Sequence, residues 1–151
     1  HVIRTLGEVI DKDKIKSDII ENASIFDVQL LAYDPFKAVE LISELTAIGI
    51  ECGKVVQSAP VLGAGNSMWK ELILGEKIEH DGNLCTKWQM GNIEMYTDGN
   101  GNQKILKGKG KKENKVDGPV SINNAFVGYL DLVRNPEDKE LTVEDLGILN
   151  F

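Results

Sequence analysis

The stretch from Val28 to Leu45, VQLLAYDPFKAVELISEL, limits what this chain can fold into more than any other. Together with Asp27, its first part (DVQLLAY) is apolar at successive positions, the pattern of a central strand covered on both faces. From Pro35 the period changes. Ala38, Leu41, Ile42, Leu45 and Ile48 fall on one helical stripe, Pro35 suits a first helical turn, and Gly49 supplies a stop. A second short strand follows in ECGKVVQSA. Strand, helix and strand within about 30 residues make a βαβ unit, and its crossover makes the two strands parallel in one sheet. The prediction is an α/β fold with Asp34 at the carboxyl end of the first strand, where open α/β sheets usually place their chemistry.

The remaining segments are read around this unit. HVIRT offers the end of a strand, and the helix after it carries Ile15, Ile19 and Ile20 on one face. GAGNSMWKELILGEKIEH predicts a glycine loop at Gly63 to Asn66, then a helix with Trp69, Leu72 and Ile73 inward and a stop at Gly75. GNLCTKWQMGN predicts a short helical turn. IEMYTDGNGNQKIL reads as two alternating strands joined by the hairpin turn Asp98-Gly99-Asn100-Gly101. VDGPVSINNAFVGYLDLVR is a helix entered through Asp117-Gly118-Pro119, with Ile122, Ala125, Phe126, Tyr129 and Val133 on one face. Residues 1–134 are assigned to one domain, and the acidic, weakly patterned residues 135–151 to a tail.

Composition excludes several classes. No apolar run approaches the roughly 20 residues that a membrane-spanning helix needs, and no signal-peptide pattern opens the chain. Cys52 and Cys85 fit no metal or redox spacing and read as reduced core thiols of a cytosolic protein. With two histidines, one of them the terminal His1, the sequence argues against a multi-histidine zinc site. The net charge of −7 argues against a generally basic surface, yet it is unevenly spread. KILKGKGKKENK, from Lys104 to Lys115, holds six lysines and one acid, a local sum of +5 that leaves −7 − 5 = −12 elsewhere. Lys104, Lys107, Lys109, Lys111, Lys112 and Lys115 thus form a strip suited to a phosphate backbone, or a solvated loop.

Two acids carry the candidate chemistry. Asp34 ends a strand and Asp117 opens a helix; each is also placed as a helix cap, worth about 1 kcal/mol. Metal-assisted phosphodiester cleavage needs carboxylates from separate elements, because Mg²⁺ and Mn²⁺ take oxygen ligands from several sides, and it needs cations beside them. GAGN lacks the features of a phosphate-binding loop, Ser67 with His80 has no nucleophile elbow, and His80-Asp81-Gly82 reads as a turn. Trp69 and Trp88 lie on apolar patterns and read as core.

The order of these segments resembles the nuclease domain of the large terminase subunit of tailed bacteriophages. LLAYDPFKAVELISEL, Gln57 after the second strand, WKELILGEKIEHDGN, TKWQMGNI, TDGNGNQKI and KKENKVDGPVSINNA carry the likeness over about residues 7–132. The resemblance implies a ribonuclease H-like fold, a mixed sheet flanked by helices, here N-terminally truncated, because the family's first metal-binding Asp lies on a strand upstream of everything matched. It implies Mg²⁺ or Mn²⁺ as cofactor, with Asp34 and Asp117 as metal-binding catalytic acids and Lys115 at a basic position that contacts phosphate.

The function so implied is a metal-dependent endonuclease that cleaves concatemeric double-stranded viral DNA during packaging. It would act in the host cytoplasm, encoded by a phage or a prophage, beside an upstream ATPase domain, a small terminase subunit and the portal, and with no membrane partner. Two rival readings stand beside it. One is a non-catalytic DNA- or motor-binding module on a degenerate nuclease fold. The other is a different ribonuclease H-like nuclease, such as a resolvase.

Overall fold

Helix formation begins where an acid caps it. Asp11 accepts a hydrogen bond from the Lys14 amide at 2.9 Å, and α1 runs Lys12–Ile25 in the computed structural model, which describes residues 9–108 and 114–134. No residue of α1 is buried. It lies against α2 (Val39–Ala47) through two ion pairs one helical turn apart, Lys12–Glu40 at 2.8 Å and Lys16–Glu44 at 2.7 Å. HVIRT and the tail 135–151 fall outside the described residues.

The βαβ unit forms as its pattern requires. β1 (Leu31–Tyr33) pairs in parallel with β2 (Cys52–Lys54), Leu31 opposite Cys52 and Tyr33 opposite Lys54, and α2 makes the crossover. β1 is shorter than the apolar run suggested and only half-buried. Among the described residues it pairs on one side, with β2. α2 anchors the unit with Leu45, which is fully buried. It starts at Val39 rather than at Pro35; Pro35 to Ala38 form a turn instead, with Lys37 at φ +57°.

α3 (Ala59–Leu74) begins behind Ser58 with Pro60 in its first turn. The predicted glycine loop lies inside this helix, so GAGN is corrected from loop to helix. Packing overrides glycine's poor helix propensity there. A Cβ on Gly65 would sit 2.5 Å from Asn123 Oδ1 and 2.9 Å from Val127 Cγ2, so the two backbones meet where only glycine fits. On its other side α3 covers the hairpin of β3 (Ile93–Thr97) and β4 (Gln103–Lys107), where Asn66 Nδ2 donates to the Gln103 carbonyl at 2.8 Å. The parallel and antiparallel pairings are thus divided between two two-stranded sheets, and α3 with α5 (Asp117–Arg134) ties them together.

The core comprises Val55, Leu62 and Val127, with Ala32 and Val61 packed against it, and Trp69 stacks on Phe126 at 6.5 Å. The buried side of α5 is not the predicted one: Pro119, Asn123, Asn124, Val127 and Gly128 face inward, while Ala125 and Val133 are exposed. Small and amide side chains fit this face where α5 comes close to Gly65 of α3 and, at Gly128, to Ala32 of β1. Trp88 and Ile73 are also exposed, against expectation, at 48% and 47%. Both cysteines are free and half-buried.

Candidate active site

Asp34 follows the last residue of β1 and is exposed. It does not cap α2. Its Oδ1 accepts from the Phe36 amide at 2.9 Å, so it closes a turn ahead of the helix and keeps a carboxylate at the strand end. Asp117 is the first residue of α5, also exposed. The capping role expected of it belongs to another side chain: Gln89, from α4 (Leu84–Met90), accepts from the Gly118 amide at 2.7 Å. Neither aspartate therefore caps its helix, and Asp34 instead closes the turn before α2.

The direction of α5 brings these acids to one end of the parallel pair. A Cβ on Gly128 would lie 2.8 Å from Ala32 Cβ and 3.2 Å from Leu30 Cδ2, which sets the middle of α5 against the start of β1. Earlier in the helix, Asn124 Oδ1 accepts from Gln57 Nε2 at 3.2 Å, just beyond β2. α5 thus runs opposite to β1, and seven further residues, about 10 Å at 1.5 Å each, carry its start past the carboxyl ends of the strands. Gln57 also donates to the Val55 carbonyl at 3.0 Å, which fixes the amide between strand and helix.

The segment carrying Asp117 is held on both sides. Besides the Gln89 bond, Asn92 Nδ2 donates to the Lys115 carbonyl at 3.1 Å. Lys115 is exposed next to the acid. Lys107 is exposed at the end of β4, and Lys104 lies over the Tyr96 ring at 5.8 Å, so these two sit on the hairpin. Lys109, Lys111 and Lys112 lie outside the described residues.

The donors suit a divalent cation in kind. Two exposed carboxylates offer oxygen, and neither forms an ion pair among the described residues. Their number is short of a complete shell: no group of three His, Cys, Asp or Glu among the described residues is placed to hold a metal. Sequence reasoning quoted TKWQMGNI without giving its polar residues a role. Their signal, two amides three residues apart at the end of a short helix, acquires meaning only once the fold sets them beside residues 115–118.

This arrangement of helices on a parallel pair and a hairpin, with acids at a strand end and a helix start, fits the ribonuclease H-like class of α/β domain. The chain belongs to the family of terminase large subunit endonuclease domains, whose profile matches residues 4–131. The crystal structure of the HK97 bacteriophage large terminase superposes with a TM-score of 0.70 at 22% identity, over 82% of this chain and 26% of that one. The chain thus spans about a quarter of that protein's length. No curated protein matches it. No helix among the described residues is long and apolar enough to cross a membrane.

Proposed function

We propose that this chain is the DNA-cutting part of a packaging terminase, a metal-dependent endonuclease acting on concatemeric double-stranded viral DNA. What supports the reading is that Asp34 follows the carboxyl end of β1, that Asp117 starts α5, which runs opposite to β1, and that neither acid caps its helix. Asp34 and Asp117 supply carboxylate oxygens for Mg²⁺ or Mn²⁺, and further ligands complete the shell. Such an ion, when bound, supplies charge neutralisation at the scissile phosphate and a lowered pKa for the attacking water. Lys115 neutralises phosphate beside Asp117, and Lys104 and Lys107 extend the grip along the hairpin, joined by Lys109, Lys111 and Lys112. Lysines contact the phosphate backbone rather than base edges, so cutting is largely independent of sequence. An ATPase domain, a small terminase subunit and the portal are the partners that packaging requires, and the host cytoplasm is where it takes place.

Plasmid nicking in Mn²⁺ tests this reading. Conversion of supercoiled to open-circular DNA, abolished by EDTA and reduced by at least about 100-fold in Asp34→Ala and Asp117→Ala, is the expected result. Equal nicking rates in wild type and Asp117→Ala refute the site. DNA binding without nicking, in a polypeptide that also carries an upstream acid-bearing strand, favours the non-catalytic module.

A further inference from the structure

Asp117 owes its position to residues far from it in sequence. The Lys115 carbonyl and the Gly118 amide flank it, and each is bonded to a side chain from the segment around the end of α4: Asn92 Nδ2 at 3.1 Å and Gln89 Oε1 at 2.7 Å. The fit at Gly118 is close, since a Cβ there would lie 3.1 Å from Gln89 Oε1. Pro119, next along, is fully buried and fixes the turn from inside. The backbone on both sides of the acid is therefore set by α4 and the residues after it. A side chain on the first turn of a helix has few staggered rotamers, so fixing the backbone fixes where its carboxylate oxygens point.

We propose that Gln89 and Asn92 are positioning residues that aim the Asp117 carboxylate at its ligand, an inference that rests on Asp117 being a metal-binding acid. The two amides act with opposite polarity. Gln89 accepts from an N–H, and a carboxylate does the same. Asn92 donates to a carbonyl, and a carboxylate has nothing to donate. Gln89→Glu therefore keeps the clamp, Gln89→Met removes it with little change of volume, and Asn92→Leu removes the donated bond without adding charge.

The experiment is a Mn²⁺ titration of the 151-residue chain, following free Mn²⁺ by electron paramagnetic resonance, with urea unfolding to show that each variant is folded. Support consists of affinity lowered about 10-fold or more in Gln89→Met and Asn92→Leu and kept or raised in Gln89→Glu, whose added charge also favours a cation. A loss of capping alone would lower the urea midpoint and leave Mn²⁺ affinity unchanged in the folded protein, and that result overturns the proposal. If Gln89→Met does not fold, Asn92→Leu, which removes one side-chain hydrogen bond and adds no charge, decides between the same outcomes. Asp117→Ala separates the two layers of the argument. Weaker Mn²⁺ binding there, with no change in folded Gln89→Met and Asn92→Leu, sinks the positioning role alone. Unchanged binding in Asp117→Ala sinks the metal-acid reading and this inference with it.

Discussion

Replacing Gly65 by alanine is the sharpest test of how α3 and α5 meet. In an exposed helix the substitution stabilises by about 1 kcal/mol, because alanine is the better helix former. At Gly65 the added methyl would stand 2.5 Å from Asn123 Oδ1, 2.9 Å from the Asn123 carbonyl and 2.9 Å from Val127 Cγ2. The carbonyl belongs to helical backbone and Asn123 is 1% exposed, so neither yields without moving α5. Overpacking of this kind costs about 1–3 kcal/mol. Set against the propensity gain, the net loss is up to about 2 kcal/mol. Two residues earlier on the same helix, a methyl on Gly63 meets nothing nearer than Gln103 N at 3.4 Å, an ordinary contact. Gly63→Ala is therefore expected to be neutral or to stabilise by up to about 1 kcal/mol. Urea unfolding with an unchanged m-value reads both. Gly65→Ala lowers the midpoint, and Gly63→Ala holds or raises it. A rise in both would show that the helices stand further apart than described, and the account of the buried glycine would fail.

Two further predictions concern charge. Asp98 organises the hairpin turn: its Oδ1 accepts from the Asn100 and Asn102 amides at 2.9 Å each, and its Oδ2 accepts from Asn102 Nδ2 at 3.0 Å. The Asn102 side chain above all, and these amides, hold its carboxyl below the ordinary value of 3.8. A depressed folded-state pKa contributes stability that is fully present above 3.8 and lost as pH falls through the lower folded value. The Asn100 and Asn102 amide resonances should accordingly titrate together with a midpoint below 3.8, and a midpoint at or above it would contradict the turn. For the lysines, Lys104→Ala, Lys107→Ala and Lys115→Ala should each lower the slope of log K against log salt for duplex DNA by about one. Fluorescence anisotropy across a potassium chloride series checks this, and an unchanged slope removes that lysine from the interface.

The legible parts of this protein were those specified by local pattern. The period switch at Pro35 placed β1, α2 and β2, and Asp98-Gly99-Asn100-Gly101 placed the hairpin, because turn chemistry and side-chain alternation act over a few residues. Asp34 and Asp117 were legible as element-end acids for the same reason. What stayed hidden depended on partners distant in the chain. GAGN reads as a loop until Asn123 is known to lie against Gly65. The asparagines of α5 lie off its predicted apolar face, yet Leu62 and Gln57 meet Asn123 and Asn124 at 3.3 Å and 3.2 Å. The caps were misplaced likewise: the Gly118 amide finds its acceptor 29 residues away in Gln89, which no local motif encodes.

The chemistry of these hidden joints bears on the site. Where α5 meets α3, β2 and α4, the polar contacts come from Asn123, Asn124, Gln57, Gln89 and Asn92, all uncharged amides. A lysine or arginine placed at the same joints would also bond to carbonyls, but its charge would pair with Asp117 or Asp34 and compete with a cationic ligand. A carboxylate would add to the negative charge and resist ionisation of its neighbours. Amides give direction without charge. The arrangement carries a cost: Asn123 Oδ1 is buried with no hydrogen-bond partner among the described residues, a penalty of about 1–3 kcal/mol for a polar atom taken from water. A hydrophobic residue of similar size would avoid that penalty, but it would give up the bond from Asn123 Nδ2 to the Leu62 carbonyl that fixes α5 along α3. The interface thus gives up stability to hold the register of α5, and the register of α5 sets where Asp117 stands relative to Asp34.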